Sequence, residues 1–201
     1  LRQFQLLQYS TPKAAGRPNG IYSVVDFELT VHPENMNKEI YARIRNMFDV
    51  PQMQNNLRGL WVEAMVCEIL GRGCTHTGSD WAAWDLERED GLRIEVKQSA
   101  KQQSWGTSTG PPRFGIAAAK GHYPDGKTYI SNDSGCRLAD IYIFAWHDGQ
   151  DQREVSEWIF YVVDAKLLPN GQKTVGLRTI QKLTESVTAS TLRKRVMQMR
   201  N

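Results

Sequence analysis

The stretch from Trp84 to Gln98, WDLEREDGLRIEVKQ, constrains the fold more than any other part of the chain, because its alternation tolerates only one strand pairing. A two-residue turn at Asp90-Gly91 would set Leu86 against Glu95 and Glu87 against Ile94. Every cross-strand pair would then mix apolar with charged, and neither face of the hairpin could be buried. A three-residue loop, Glu89-Asp90-Gly91, puts glycine at the left-handed position that such loops use. The pairs become Leu86 with Ile94, Trp84 with Val96, Glu87 with Arg93 and Asp85 with Glu95. One face is apolar and the other charged. A one-residue slip would expose the whole hydrophobic set, so this register is the expected one.

The register has a chemical consequence. Asp85 and Glu95 become direct neighbours, with Cβ atoms about 4.5–5.5 Å apart, and Lys97 shares the face of Glu95. Opposed carboxylates repel, and Lys97 offsets part of that repulsion. A divalent cation would offset more, and hard oxygen donors suit Mg²⁺ or Mn²⁺ rather than zinc. The plainer reading is a solvated strand face on which Glu87 pairs with Arg93 and Asp85 with Lys97.

Helical spacing predicts a helix over 35–48 and a second from Asn55 or Asn56 to Leu70. In the second, Leu60, Ala64, Cys67 and Leu70 recur on one face, and Gly71 supplies the stop. A Gly-rich link follows, GRGCTHTGSD, and then the hairpin. Residues 104–115 and 120–137 read as loops. The apolar runs DIYIFAW (140–146) and WIFYVV (158–163) read as strands buried on both faces. A basic amphipathic helix begins near Ala189. Residues 1–20 read as an arm and 21–29 as a strand. This order implies an α/β fold, a mixed sheet flanked by helices.

The 201 residues suit one domain or one domain with an extension, and no window approaches the roughly 18 apolar residues of a membrane span. The start carries no basic-then-apolar leader pattern, and Leu1 in place of a Met leaves room for a longer parent chain. Cys67, Cys74 and Cys136 form no C-x-x-C pair, which argues against a disulfide framework or a four-ligand zinc site and points to a reducing, cytoplasmic setting. His32, His76, His122 and His147 are scattered, and Cys74-x-His76 is too little for a zinc site. Charge is unevenly spread. Residues 165–201 hold eight basic side chains and one acidic, net +7, while 80–95 hold six acidic and two basic, net −4. An acidic centre with a basic flank suits a metal site that handles a polyanion. Lys120, Lys127 and Arg137, interleaved with aromatics, and Arg193, Lys194 and Arg195 on the last helix are the candidate nucleic-acid contacts.

These residues together resemble the PD-(D/E)XK nuclease superfamily, whose signature is an Asp, a hairpin, then Glu/Asp-x-Lys on the next strand. Here that reads Asp85, then Glu95-Val96-Lys97, with Glu63 in RGLWVEAMVCEIL matching the Glu that many members carry on a preceding helix. The resemblance spans roughly Leu57 to Val163, and Trp84 stands where the family often has Pro. It implies a restriction-endonuclease-like domain over 51–201, with 1–50 as an N-terminal arm and helical extension. By the same resemblance, Asp85, Glu95 and the Val96 carbonyl bind Mg²⁺ (Mn²⁺ substituting), Lys97 positions the attacking water and stabilises phosphate charge, and Glu63 binds a second metal or orients a metal-bound water. The implied activity is phosphodiester hydrolysis in DNA, with double-stranded DNA as partner and a homodimer as a plausible assembly. The alternatives are a non-cleaving nucleic-acid-binding module on the same scaffold and an interaction domain whose hairpin is only a charged face. Of the neighbouring polar residues, Gln98 is expected to make a core hydrogen bond, Arg58 to be solvated or to contact phosphate, and Glu68 to lie at the surface.

Overall fold

The computed structural model describes residues 33–77 and 82–200. The expected arm at 1–20 and strand at 21–29 lie outside the described residues. The chain forms a mixed α/β fold around one six-stranded sheet: β1 (Cys74–His76), β2 (Leu86–Arg88), β3 (Arg93–Ala100), β4 (Ile141–His147), β5 (Trp158–Asp164) and β6 (Ser186–Thr188). Spatial order follows chain order, and only β3 and β4 run parallel. The helices are α1 (Pro33–Phe48), α2 (Asn55–Leu70), α3 (Leu177–Leu183) and α4 (Ala189–Met197). Among the described residues no helix is long and apolar enough to cross a membrane.

The hairpin adopts the expected register, Leu86 against Ile94 and Glu87 against Arg93. Arg88 and Leu92 close the three-residue loop, and Gly91 sits at φ +77°, where only glycine is free of strain. The ladder ends two pairs short of the expected length, so the expected pairing of Asp85 with Glu95 is corrected along with that of Trp84 with Val96. The Asp85 carbonyl turns away to accept from the Thr77 backbone N–H and hydroxyl, so Trp84 never pairs with Val96. Trp84 instead packs on the other side of the sheet, and Nε1 donates to Glu87 while the guanidinium of Arg93 lies 5.3 Å from the ring centre.

Each face of the sheet has its own core, because β4 and β5 are apolar on both sides. Ile141, Ile143, Ala145, Trp158, Phe160 and Val162 meet Leu86, Ile94 and Val96 beneath α2 and α4. Tyr142, Phe144, Tyr161 and Val163 face the other way, onto Phe114, Ile116 and Ile180 of α3. Side chains as enclosed as Phe160 or Ile143 each contribute roughly 1.5–3 kcal/mol. The helix face read from the sequence is corrected: α2 buries Val62, Met65, Val66 and Leu70, while Leu60 and Ala64 face solvent. This helix is apolar on two sides, and the i, i+3, i+4 stripe that meets the sheet is the one rich in Val and Met. The Gly-rich link is corrected too, since it contains β1, whose residues Cys74, Thr75 and His76 pair with Arg88, Glu87 and Leu86. The loops at 104–115 and 120–137 contain short two-stranded pieces. Of these, Arg113–Gly115 pairs with Thr174–Gly176 and presses Phe114 onto the second core.

Candidate functional site

The parallel contact of β3 with β4 puts Glu95 beside Tyr142 and Lys97 beside Phe144, on the face opposite α2. Alternation along β3 sends Val96 and Ile94 into the other core. Asp85 arrives from the start of β2, and its Oδ2 accepts from the Val96 N–H at 2.7 Å. That bond fixes the carboxylate against β3. Lys97 Nζ forms an ion pair with Glu95 and lies 4.0 Å from Asp85 Oδ2. Asp85, Glu95, Val96 and Lys97 are therefore gathered at one place, all half-buried or buried.

Glu63 comes from α2, on the other side of the sheet, and reaches the same locality past the edge strand. Its Oε2 lies 3.0 Å from Nε2 of His76 on β1. Burial raises the Glu63 pKa, the negative charge of Asp85 raises it further, and His76 holds it back. Burial likewise raises the pKa of Glu95; the Lys97 ammonium opposes the rise, and Asp85 and Glu63 add to it. For Lys97, burial favours the neutral amine, yet Glu95 and Asp85 together outweigh it and lift the ammonium pKa. Two causes recur in these shifts: burial acts on all three groups, raising the two glutamates and opposing Lys97, and the neighbouring carboxylate charges raise all three. Tyr142 feels the same field, its phenol pushed up to about 12 by burial and then by Glu95. Lys97 is consequently an ammonium at neutral pH, a source of positive charge and not a free base.

Among the described residues no three His, Cys, Asp or Glu side chains converge into a ready-made metal cluster. Lys97 stands between the carboxylates instead. The donor set nevertheless fits a hard divalent ion, since its oxygens are carboxylates, and the Glu63 and Glu95 pKa values are raised by burial first and by neighbouring negative charge second, a state that a nearby cation relieves.

The remaining candidates scatter. Lys120 and Lys127 are exposed on the long connection between β3 and β4. Arg137 is corrected as a phosphate contact, because its guanidinium donates to the carbonyls of Ile116, Leu168 and Pro169 and ties two loops together. Arg193 and Lys194 are exposed on α4, and Arg195 donates to Thr184 Oγ1. Leu192 and Val196 seat α4 in the first core, so this basic helix lies across the sheet from Glu95 and Lys97. Glu68 is exposed, as expected.

Two features were not read correctly from the sequence. His76 joins the site through Glu63, and the only signal for it was its position two residues after Cys74, which acquires meaning once β1 is known to pair with β2. Of the two places expected for Arg58, solvent or a phosphate, the first is corrected, since the residue is 1% exposed. Its Nε donates to Gln98 Oε1 at 2.6 Å, and Nη2 donates to Asn55 Oδ1 and Gln103 Oε1 at 2.8 and 3.0 Å. Gln98 thus makes the expected buried hydrogen bond, one residue beyond Lys97. Compared with known proteins, the sequence matches no family model and no curated protein.

Proposed function

We propose that the chain is a metal-dependent nuclease of the PD-(D/E)XK type, with a restriction-endonuclease-like fold, that hydrolyses phosphodiester bonds in double-stranded DNA. The observation that carries this reading is the surplus negative charge around Lys97. Asp85 and Glu95 flank one half-buried ammonium, Glu63 adds its charge from α2, and burial together with these charges raises the pKa values of Glu63 and Glu95. A solvated charged face offers no reason for such burial, which costs free energy unless a cation or substrate completes it.

In this reading Asp85 and Glu95 hold Mg²⁺, with Mn²⁺ substituting and the Val96 carbonyl as a further oxygen. When bound, the ion lowers the pKa of water and neutralises charge on the phosphate. The Val96 N–H keeps Asp85 in its orientation. Lys97, an ammonium, sets the incoming phosphate oxygen and stabilises the charge that develops on it. Glu63, steered by His76, accepts hydrogen bonds from water near the ion or holds a second ion. A two-fold dimer would present one such site to each strand of a duplex.

A second reading, a nucleic-acid-binding module that does not cut, is favoured by the ion pair of Lys97 with Glu95, which fills the place an ion would take. Cleavage of supercoiled plasmid in Mg²⁺, Mn²⁺ or EDTA, by wild type, Asp85→Ala and Lys97→Ala, separates the two. Metal-dependent nicking lost in both folded variants supports the nuclease. DNA binding without nicking in any metal, together with no Mn²⁺ binding by calorimetry, leaves the second reading standing.

A further inference from the structure

Arg58 is a cation without a counter-ion among the described residues. Its partners are the neutral amides of Asn55, Gln98 and Gln103, and both hydrogens of Nη1 lack an acceptor among the described residues. It lies in the second turn of α2, close to the helix N-terminus, where the dipole is already positive; Gln54 offers no side-chain cap and the first turn contains no acidic residue. Arg58 walls a pocket of about 340 Å³ together with Asn55, Gln98, Gln103, Trp105 and Arg113, and no carboxylate lines it. A buried guanidinium left this way is costly, and an anion is the group that removes the cost.

We infer that this pocket is a phosphate subsite, in which Nη1 of Arg58 and the exposed guanidinium of Arg113 donate to the non-bridging oxygens of one backbone phosphate. The proposal rests on the nuclease reading only for the carrier of that phosphate. The geometry of β3 links the two places. Ser99, which also lines the pocket, follows Lys97 on the same strand face, about 7 Å along the strand. With Nε and Nη2 of Arg58 given to amides, Nη1 is the group left to donate to a phosphate oxygen, a charge-assisted bond. Arg58 is rigidly held by its three amides, so little ordering remains to be done on binding. Arg113 is exposed and tethered only to Thr174 Oγ1, which leaves it free to close over a bound anion. Trp105, 75% exposed at the rim, offers a flat surface for the adjoining sugar or base.

The test uses the full chain in EDTA, so that no metal takes part, with inorganic phosphate as probe and chloride at matched ionic strength as control. Fluorotryptophan labelling reports on Trp105, assigned by Trp105→Phe, and the Arg58 Nε–H resonance reports on the guanidinium. The expected result is a saturable shift of both signals in the millimolar range, weakened several-fold by Arg113→Gln and unchanged by Lys97→Ala. Signals that do not move up to ~50 mM phosphate, weaker than any useful subsite, overturn the proposal, as does a response that Arg113→Gln leaves intact. Arg113 is exposed, so this variant keeps the test valid even where Arg58→Gln fails to fold. Phosphate binding without plasmid cleavage upholds the pocket while the nuclease reading falls; cleavage without any phosphate response does the reverse.

Discussion

Two neighbouring stretches of β3 handle charge in opposite ways. At Glu95 and Lys97 two carboxylates flank one ammonium and Glu63 adds a third charge from α2, and at Gln98 one guanidinium is wrapped in amides in a pocket that no carboxylate lines among the described residues. Each place is unbalanced, the first negative and the second positive, and they stand one residue apart in sequence but on opposite faces of the strand. Folding alone would favour neutralising both, for instance by an acidic residue in place of Gln98. The separation keeps a cation-seeking place and an anion-seeking place side by side, which is what the proposed phosphodiester substrate and its metal would require.

The largest effect tests the negative place. Asp85→Ala removes the acceptor of the Val96 N–H, and Lys97→Ala removes the only ammonium. Each variant is expected to lose cleavage by at least about 10²–10³-fold, measured as nicking rate on supercoiled plasmid. The positive place is tested by stability. Arg58→Met leaves Gln98, Asn55 and Gln103 with unsatisfied amide oxygens, a loss of about 2–4 kcal/mol in urea unfolding. A loss under about 1 kcal/mol would mean that the guanidinium contributes nothing beyond packing.

A smaller effect has the opposite sign. Glu95 has a folded pKa above its ordinary value, chiefly from burial. The native state therefore binds that proton more tightly than the unfolded state does. Its stabilising share is present below the ordinary glutamate range and is lost as pH rises through the raised value. Glu95→Gln should thus raise Tm at neutral pH in EDTA, by about 2–4 °C for roughly 1 kcal/mol in a chain of this size. The gain should vanish on acidification. A fall in Tm at neutral pH would show that the ion pair with Lys97 outweighs the burial, and that the place is balanced after all.

The difference between the two places also marks what a sequence can reveal. The hairpin register was legible, because alternation leaves one pairing with a buriable face, and Leu86, Ile94 and Val96 obey it. The placing of Glu95 and Lys97 on one face followed from that local rule, but Asp85 joins them by accepting from the Val96 N–H and not as the expected ladder partner of Glu95. Trp84 was misplaced, since the ladder is ended by Thr77, a residue of another strand's exit that no hairpin pattern contains. The buried face of α2 was misjudged because the helix offers two apolar stripes and only the sheet chooses between them. Arg58 was illegible for a deeper reason. Its burial depends on amides 40 and 45 residues downstream, and a single polar residue carries no periodicity. Strand β1 was hidden by being three residues long and polar.

His76 gives the finest test of how the negative place is poised. It is the one described residue that pulls the Glu63 pKa down through a hydrogen bond, against burial and Asp85, which push it up. Removing the imidazole in His76→Ala takes away that restraint, so Glu63 should titrate at higher pH than in wild type. Carboxyl ¹³C shifts followed in EDTA would show the movement directly. Nuclease activity at neutral pH should fall only a few-fold, a loss on the scale of one hydrogen bond of about 1 kcal/mol, and the acid limb of its pH profile should move up with Glu63. His76→Gln restores a donor of similar reach and should bring Glu63 back toward its wild-type titration. If His76→Ala leaves the Glu63 titration where it was, the imidazole does not steer that carboxylate, and Glu63 answers to burial and Asp85 alone.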